Sequence, residues 1–194
     1  MLHTRRMADV ALSQPGPYTW DDFIALDEDD LRELIDGELV EVEVPKHRHE
    51  RIVAALIVAL GTWAKERRAG HVLASGYKVR ITERRGVMPD VQFFRRGNEP
   101  SAQHEDGLAE GRPDLVVEVV SPSSRRYDRV VKARWYADIG VPEYWIVDPE
   151  GRTVECLVLE DGRWTIATTA AGDEVFEPSG FEGLRIDLAD LWGD

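Results

Sequence analysis

The chain has one cysteine, Cys156, among its 194 residues, and it has no long apolar run. A lone cysteine excludes an intramolecular disulfide and a cysteine-based zinc site, which fits a reducing cytosol. No segment approaches the roughly 20 apolar residues of a membrane-spanning helix. Residues 1–17 lack the apolar centre of a signal peptide. These absences predict a cytoplasmic protein.

Several catalytic motifs are also missing. The sequence contains no glycine-rich phosphate loop, no Gly-x-Ser-x-Gly nucleophile motif and no Cys/His zinc spacing. The adjacent aromatic pairs at 135–136 and 144–145 resemble core residues more than a base-stacking platform, which needs exposed rings along a basic groove. The chemistry must therefore come from other residues.

The length of the chain suits one domain, and its net charge is −13. Residues 1–17 are predicted to be a disordered leader and 18–194 a single domain with its core at 48–148. Residues 46–96 hold 12 basic and 4 acidic side chains, whereas both flanking regions are acidic. A basic middle predicts either a nucleic-acid groove or a solvated helix face plus a loop.

The run PDLVVEVVSPSS at 113–124 organises the chain. Its apolar, β-branched centre predicts a strand that is buried on both faces, yet Glu118 interrupts it. A buried carboxylate is costly unless it is paired or bound to a metal, so Glu118 is a candidate functional residue. The serines then cap a helix that begins near Arg125, and EYWIVD at 143–148 is the next strand. Together these elements predict a βαβ unit with a right-handed crossover.

Capping, alternation and turn signals predict the flanking elements. Thr19 is the N-cap of a capping box that opens a short helix through Leu26. The other predicted elements are a hairpin around an Asp36-Gly37 turn, a helix at 48–68 stopped by Gly70, a strand at 72–81, a turn at 84–86, a strand at 88–94, a polar connection at 95–112, a hairpin at 153–168, short strands at 175–176 and 184–186, and a helical turn at 188–192.

Four phrases stand out: DGELVE at 36–41, PD at 89–90, PDLVVEVVSPS at 113–123 and GVPEYWIVDP at 140–149. They resemble the Uma-two family of restriction-endonuclease-like proteins, within the PD-(D/E)XK nuclease superfamily. The resemblance covers roughly residues 18–168 and implies an α/β (α+β) restriction-endonuclease-like fold. It implies an αβββαβ core with a mixed central sheet, to which an N-terminal and a C-terminal β-hairpin are added.

The resemblance implies a site for Mg²⁺ or Mn²⁺, with Asp90 and Glu118 as metal ligands on adjacent strands. The chemistry agrees, because a hard cation at a phosphodiester prefers carboxylate oxygens and lowers the pKa of the attacking water. The superfamily pattern places a lysine two residues after the glutamate, where this chain has Val120. The Uma-two family is similar in lacking it and implies a lysine on the following helix. Lys132 is the only lysine in residues 79–194 and is therefore the candidate.

Five further residues are secondary candidates. A glutamate from the N-terminal portion is common in this superfamily, which implies Glu41 or Glu38 here. His49, in the first turn of the long helix, is a candidate site or substrate contact, or else a cap or core residue. Lys78 is the alternative lysine, and Asp114 is either a ligand or a turn former.

The three principal candidates also have interpretations without chemistry. Glu118 is then the buried partner of Arg80 or Lys78 on a neighbouring strand. Asp90 merely caps the start of a strand, and Lys132 is a solvated helix residue. These alternatives stay open at the level of sequence.

The sequence therefore predicts a Mg²⁺- or Mn²⁺-dependent endonuclease that hydrolyses DNA phosphodiester bonds with metal-activated water. Asp90 and Glu118 would bind the metal, Lys132 would assist the water, and Glu41 or Glu38 would add a further acid. The alternative is a non-catalytic nuclease-fold scaffold that serves as an interaction protein, and a homodimer is expected in either case. Hydrolysis of a smaller phosphate ester is a third hypothesis, which rests on the net charge.

Overall fold

The computed structural model describes residues 16–27, 30–42, 44–74, 76–98 and 111–193, so most of the predicted leader and part of the polar connection lie outside it. The helices are α1 (Trp20–Ile24), α2 (His47–Arg67), α3 (Ala133–Asp138) and α4 (Leu188–Trp192), and a π-helical segment, Tyr127–Lys132, runs directly into α3. The strands are β1 (Arg32–Ile35), β2 (Glu38–Glu41), β3 (Gly70–Ala74), β4 (Val79–Thr82), β5 (Arg85–Val87), β6 (Val91–Arg95), β7 (Leu115–Val119), β8 (Glu143–Asp148), β9 (Thr153–Glu160), β10 (Arg163–Ala171), β11 (Val175–Phe176) and β12 (Ile186–Asp187). Within these ranges, no helix combines the length and the apolar character needed to cross a membrane.

A mixed six-stranded sheet, in the order β10-β9-β8-β7-β6-β3, organises the fold. β7 and β8 run parallel, and the π-helical segment and α3 connect them, whereas the other neighbours are antiparallel. A second sheet, β2-β1-β5-β4, combines the N-terminal hairpin with a hairpin inserted between β3 and β6. The central elements α2, β3, β6, β7, α3 and β8 confirm the predicted αβββαβ core, and β9 and β10 extend its sheet as the predicted C-terminal hairpin.

β7 lies in the middle of the central sheet, and all of its residues are buried. Val117 and Val119 pack in the core that α2 covers, whereas Val116 and Val120 pack in the core under α3. A run of β-branched residues suits a strand that is covered on both faces. Because side chains alternate along a strand, Glu118 lies on the α3 face of the sheet.

The N-terminal hairpin turns at Asp36 and Gly37, whose φ angles are 52° and 87°. Positive φ at both positions is what a tight Asp-Gly hairpin turn requires, and it confirms the predicted turn. Leu34 pairs with Leu39, and both pack against α1. Glu33 precedes Leu34 on β1 and therefore lies on the opposite face of the hairpin.

The predicted single strand at 72–81 was wrong. β3 ends at Ala74 in the central sheet, and β4 begins at Val79 in the second sheet. Gly76, with a φ of 99°, lies in the connection between them and not at a bulge. An alternating pattern reports exposure along a strand, but it does not report which strand is the partner, so the change of sheet left no signal in the sequence.

Two predicted boundaries also shift. α2 ends at Arg67, and Arg68 forms the left-handed C-cap with a φ of 52°, so Gly70 does not stop the helix. Gly70 instead opens β3 at a φ of 152°, where a side chain would collide with the Phe94 backbone oxygen. Likewise, the predicted turn at 84–86 is largely strand, because β5 begins at Arg85.

Asp148 ends β8 and holds the turn that follows it. Its Oδ1 accepts hydrogen bonds from the Glu150 and Gly151 N–H groups at 3.1 and 3.0 Å, and from the Arg125 guanidinium at 3.1 Å. Burial alone raises the pKa of Asp148, but the Gly151 N–H and Arg125 outweigh it and lower the pKa below its ordinary value of 3.8.

We expect Asp148→Asn to lose about 1 to 3 kcal/mol of unfolding free energy at neutral pH, because the charged acceptor is lost. The folded-state pKa lies below the unfolded one, so this contribution is complete above the ordinary value and disappears as the pH falls through the folded value. Urea unfolding of both proteins between pH 2.5 and 7 measures it. A constant difference across that range would contradict the assignment.

Candidate functional site

Asp90 and Glu118 occupy neighbouring positions where β6 and β7 pair. Val91 of β6 pairs with Val117 of the antiparallel β7, so Asp90 and Glu118 are the next residues in that register. The Val119 N–H donates a hydrogen bond of 2.7 Å to Asp90 Oδ2 and fixes that carboxylate beside β7. The two acids therefore lie on adjacent strands, as the sequence predicts.

His49 brings the first turn of α2 to the same place. Its Nε2 lies 3.2 Å from Asp90 Oδ2, and its Nδ1 lies 3.4 Å from the exposed carboxylate of Glu50. Burial lowers the pKa of His49, but Asp90 and Glu50 outweigh that effect, so the pKa is raised above its ordinary value. The structure thus places His49 in contact with a candidate metal ligand.

Lys132 reaches the buried carboxylate of Glu118 from the helical crossover. Its Nζ lies 3.1 Å from Glu118 Oε1, and the Tyr136 hydroxyl donates to the same oxygen at 2.6 Å. Glu118 is 3% exposed and Lys132 is 5% exposed, so Lys132 is not a solvated helix residue. Arg80 and Lys78, the alternative partners of Glu118, bind other groups.

The helical crossover presents a polar stripe to the sheet. Asp128, Lys132 and Tyr136 recur every four residues, and all three are buried. The first two lie in the π-helical segment. This backbone form is rare in proteins overall, but where it occurs it is often at a functional site. This four-residue spacing of polar side chains among apolar neighbours is the sequence signal for Asp128 and Tyr136, neither of which was predicted.

Glu33 of β1 supplies a further carboxylate that was not predicted. Its Oε1 lies 3.0 Å from Lys132 Nζ and accepts a hydrogen bond of 3.0 Å from the Met88 N–H, and its Oε2 accepts one of 3.1 Å from the Tyr127 hydroxyl. Asp128 Oδ1 lies 3.7 Å from the same Nζ. Together with Glu118, these contacts surround Lys132 with three carboxylates, which come from β1, β7 and the crossover.

Burial and ionic attraction oppose one another in this cluster. Burial raises the pKa of Glu118 well above its ordinary value, although the Lys132 ammonium opposes the rise. Burial alone lowers the pKa of Lys132, but Glu118, Glu33 and Asp128 outweigh it and raise the pKa well above its ordinary value. Burial likewise raises the pKa of Asp128. The cluster therefore holds Lys132 as an ammonium.

The N-terminal acid that contacts Lys132 is Glu33, and neither Glu41 nor Glu38 does so. Both of those residues are exposed. Glu41 shares a face of β2 with the core residue Leu39, on the opposite side of the hairpin from Glu33. The family resemblance implied an acid of β2, but the inward acid of the hairpin is Glu33 of β1, and the sequence did not predict the pairing of the two strands residue by residue.

Lys78 and Asp114 make structural contacts away from the cluster. Lys78 Nζ donates to two backbone carbonyls at the end of α1, the nearer at 2.8 Å. Asp114 Oδ2 accepts hydrogen bonds from the Arg95 N–H at 2.7 Å and from the Asn98 side chain at 2.8 Å. It precedes Glu118 by four residues, about 13 Å along the strand.

The donor set at Asp90 and Glu118 fits a hard divalent cation. In the part of the chain that the structure describes, no three His, Cys, Asp or Glu side chains converge as a complete metal site. Mg²⁺ is commonly held by only one or two carboxylates, together with waters and substrate phosphates. The hydrogen bonds given above engage Asp90 Oδ2 and Glu118 Oε1, which is one oxygen of each carboxylate.

Comparison with known proteins agrees with this architecture. The Uma2 family model, described as "Putative restriction endonuclease", matches residues 20–189. The chain belongs to the Uma2 family. Among solved structures it is similar to "a putative nuclease belonging to DUF820 from Anabaena variabilis", with a TM-score of 0.71 and 20% identity, over 91% of this chain and 98% of that one. This likeness confirms the predicted fold. No curated protein matches the sequence.

In this Uma2 chain, the position two residues after Glu118, where the superfamily pattern places a lysine, is occupied by the buried Val120. Val120 is 2% exposed and packs in the core under α3. By alternation it shares the face of Glu118, and it belongs to the apolar core on that side of the sheet. The ammonium arrives instead from Lys132, and the structure thus brings together the two residues that the family resemblance implied.

Proposed function

We propose that this protein is a divalent-metal-dependent endonuclease that hydrolyses phosphodiester bonds of DNA. The observation that carries the proposal is the buried ion pair of Lys132 and Glu118, with Asp90 in the neighbouring strand position. Membership of the Uma2 family supports nuclease activity. Two acids that can hold a cation, beside a fixed ammonium, suit metal-assisted phosphodiester hydrolysis.

Asp90 and Glu118 are the residues that would hold Mg²⁺ or Mn²⁺. The bound cation would neutralise phosphoryl oxygens and lower the pKa of the attacking water. The Val119 N–H and His49 fix Asp90 through its Oδ2 and thereby orient the carboxylate. His49 is thus a positioning residue, because it acts through Asp90.

Lys132 acts as an ammonium and not as a general base. Its pKa is raised by the carboxylates of Glu118, Glu33 and Asp128, so it is protonated at neutral pH. A preorganised ammonium stabilises the negative charge that develops on a phosphoryl group and orients the attacking water. Glu33 and Asp128 position that charge.

A second candidate is the non-catalytic scaffold predicted as the alternative. The observation in its favour is that Glu118 and Lys132 are both buried and already satisfy each other. A buried charge network can specify a unique packing arrangement without any chemistry. In that case the cluster joins the N-terminal hairpin to the central sheet.

Calorimetric titration with Mn²⁺ and Mg²⁺ tests the metal site. We expect Asp90→Asn and Glu118→Gln each to weaken binding by about tenfold or more, because each removes one charged ligand. Asp114→Asn is the matched control, since it removes a carboxylate charge at the other end of β7 and leaves metal binding unchanged. Unfolding curves establish that each variant is folded.

Two results would count against the nuclease. Metal binding that survives both substitutions would exclude Asp90 and Glu118 as ligands. No binding at millimolar metal, even with an unmodified DNA duplex present to complete the site, would favour the scaffold. Cleavage rates on DNA and RNA substrates of the same sequence show which of the two nucleic acids is the substrate. The homodimer and the cytoplasmic location stay predictions.

A further inference from the structure

Four exposed arginines form a cluster at the C-terminal end of α2. Arg67 and Arg68 end the helix, and Arg95 and Arg96 join them because Gly70 of β3 pairs with Arg95 of β6. Two shallow grooves open here: the first is lined by Trp63, Arg67, Arg95, Gly180, Glu182 and Gly183, and the second by Arg68, Gly70, His71 and Arg96. We call Arg67, Arg68, Arg95 and Arg96 the arginine end.

Aromatic rings hold the arginines of the first groove in place. The Arg67 guanidinium lies over the Trp63 ring, 5.4 Å from its centroid, and the Arg95 guanidinium lies over the Phe181 ring at 5.2 Å. Arg95 also donates a hydrogen bond of 2.8 Å to the Gly180 carbonyl. A guanidinium that rests on a ring is preorganised, and its planar N–H groups match the oxygens of a phosphate.

The charge at the arginine end contrasts with the net charge of −13. Three carboxylates accompany the four arginines among the described contacts and grooves: Glu66, 3.4 Å from Arg67, Glu182 in the first groove, and Asp114, which accepts a hydrogen bond from the Arg95 N–H. A helix dipole favours basic residues at the end of α2, but it does not account for Arg95 and Arg96, which come from the sheet. A local positive surface on an acidic protein selects an anionic partner.

We propose that the arginine end binds the phosphate backbone of the nucleic-acid substrate, at a distance from the scissile phosphate. This inference rests on the proposed nuclease function and names a second contact for its substrate. α2 links the two places, because His49 in its first turn contacts Asp90 and Arg67 is its last residue. His49 and Arg67 are 18 residues apart, which corresponds to about 27 Å along the helix axis. That span is about eight phosphates of a duplex strand.

Salt-dependent binding tests the inference without requiring cleavage. Fluorescence anisotropy measures the affinity for a duplex of about 30 base pairs, which exceeds this span, in EDTA and at several salt concentrations. The two test variants are R67Q/R95Q and R68Q/R96Q, of which the second leaves the aromatic contacts intact. The control is R134Q/R163Q, which removes two exposed arginines from α3 and β10. Each variant is checked by its unfolding curve.

We expect each test variant to reduce the magnitude of the slope of log K against log salt by about 1.8, since each lost phosphate contact contributes about 0.9. The control should keep the wild-type slope. An unchanged slope in both test variants would overturn the proposal and leave the metal site untouched. The proposal would also be overturned if the protein did not bind the duplex but bound polyglutamate tightly, in a complex that polylysine dissociates. That result would favour an acidic protein partner.

The same variants separate this inference from the nuclease proposal. If the metal titration fails while the arginine variants still lower the slope, the chain binds nucleic acid at this end without being a nuclease. If Asp90→Asn and Glu118→Gln abolish cleavage while R67Q/R95Q and R68Q/R96Q cleave and bind as wild type does, the nuclease stands and the arginine end is excluded.

Discussion

Replacing Lys132 with methionine is expected to cost about 3 to 5 kcal/mol of unfolding free energy. The substitution keeps most of the side-chain volume but leaves Glu118, Glu33 and Asp128 buried without their cation. Urea unfolding at pH 7 measures the loss. We also expect cleavage by the folded fraction to fall about 100-fold or more, because the proposed mechanism uses this ammonium to stabilise charge on the phosphoryl group.

Lys78→Met is the matched control for that result. Lys78 is also buried, but its ammonium donates to backbone carbonyls and not to carboxylates. We expect this variant to lose about 1 to 3 kcal/mol and to keep its cleavage rate. Adding Glu118→Gln to Lys132→Met should recover part of the lost stability, since it removes one uncompensated charge. No recovery would mean that packing, not charge, explains the role of Lys132.

Glu33→Ala is expected to have the second largest effect, about 3 kcal/mol of unfolding free energy. It removes a partner of Lys132 and leaves the Met88 N–H and the Tyr127 hydroxyl without their acceptor. Because Glu33 positions Lys132, we expect cleavage to fall about 10- to 100-fold. Chemical denaturation and initial cleavage rates give the two quantities.

Glu41→Ala is the control from the same hairpin. Glu41 is exposed and lies on the other face, so its replacement should change stability by less than about 0.5 kcal/mol. Glu33→Gln separates the two effects, because an amide still accepts hydrogen bonds but carries no charge. Equal cleavage by Glu33→Gln and wild type would remove Glu33 from the electrostatic support of Lys132.

Glu33 and Glu41 lie on opposite faces of the same hairpin, and only the tertiary structure distinguishes their roles. A glutamate from the N-terminal hairpin was expected, and the turn at Asp36 and Gly37 was predicted correctly. The family resemblance implied acids on β2, but the inward acid lies on β1. Both faces of β1 are buried, because α1 packs over the face with Leu34 and the helical crossover packs over the face with Glu33.

Lys132 shows the opposite case. Neither its position in a helix nor its solitary place in the second half of the chain reveals that it is buried. The family resemblance implied only a lysine on the helix after Glu118, and the structure brings this side chain to Glu118 and buries it. The π-helical backbone has no signal in the sequence, whereas the four-residue spacing of Asp128, Lys132 and Tyr136 was a signal that the prediction did not use.

The sequence by itself determined the elements whose signals are local. The buried strand β7, the crossover to a parallel β8, the capping box of α1 and the β9–β10 hairpin each depend on residues that are close together in the chain. Only the tertiary structure decided that the chain changes sheets between β3 and β4, and that three acids from distant segments surround one lysine. These outcomes depend on which faces meet across the fold, and pairing between distant segments leaves no periodic trace in any one of them.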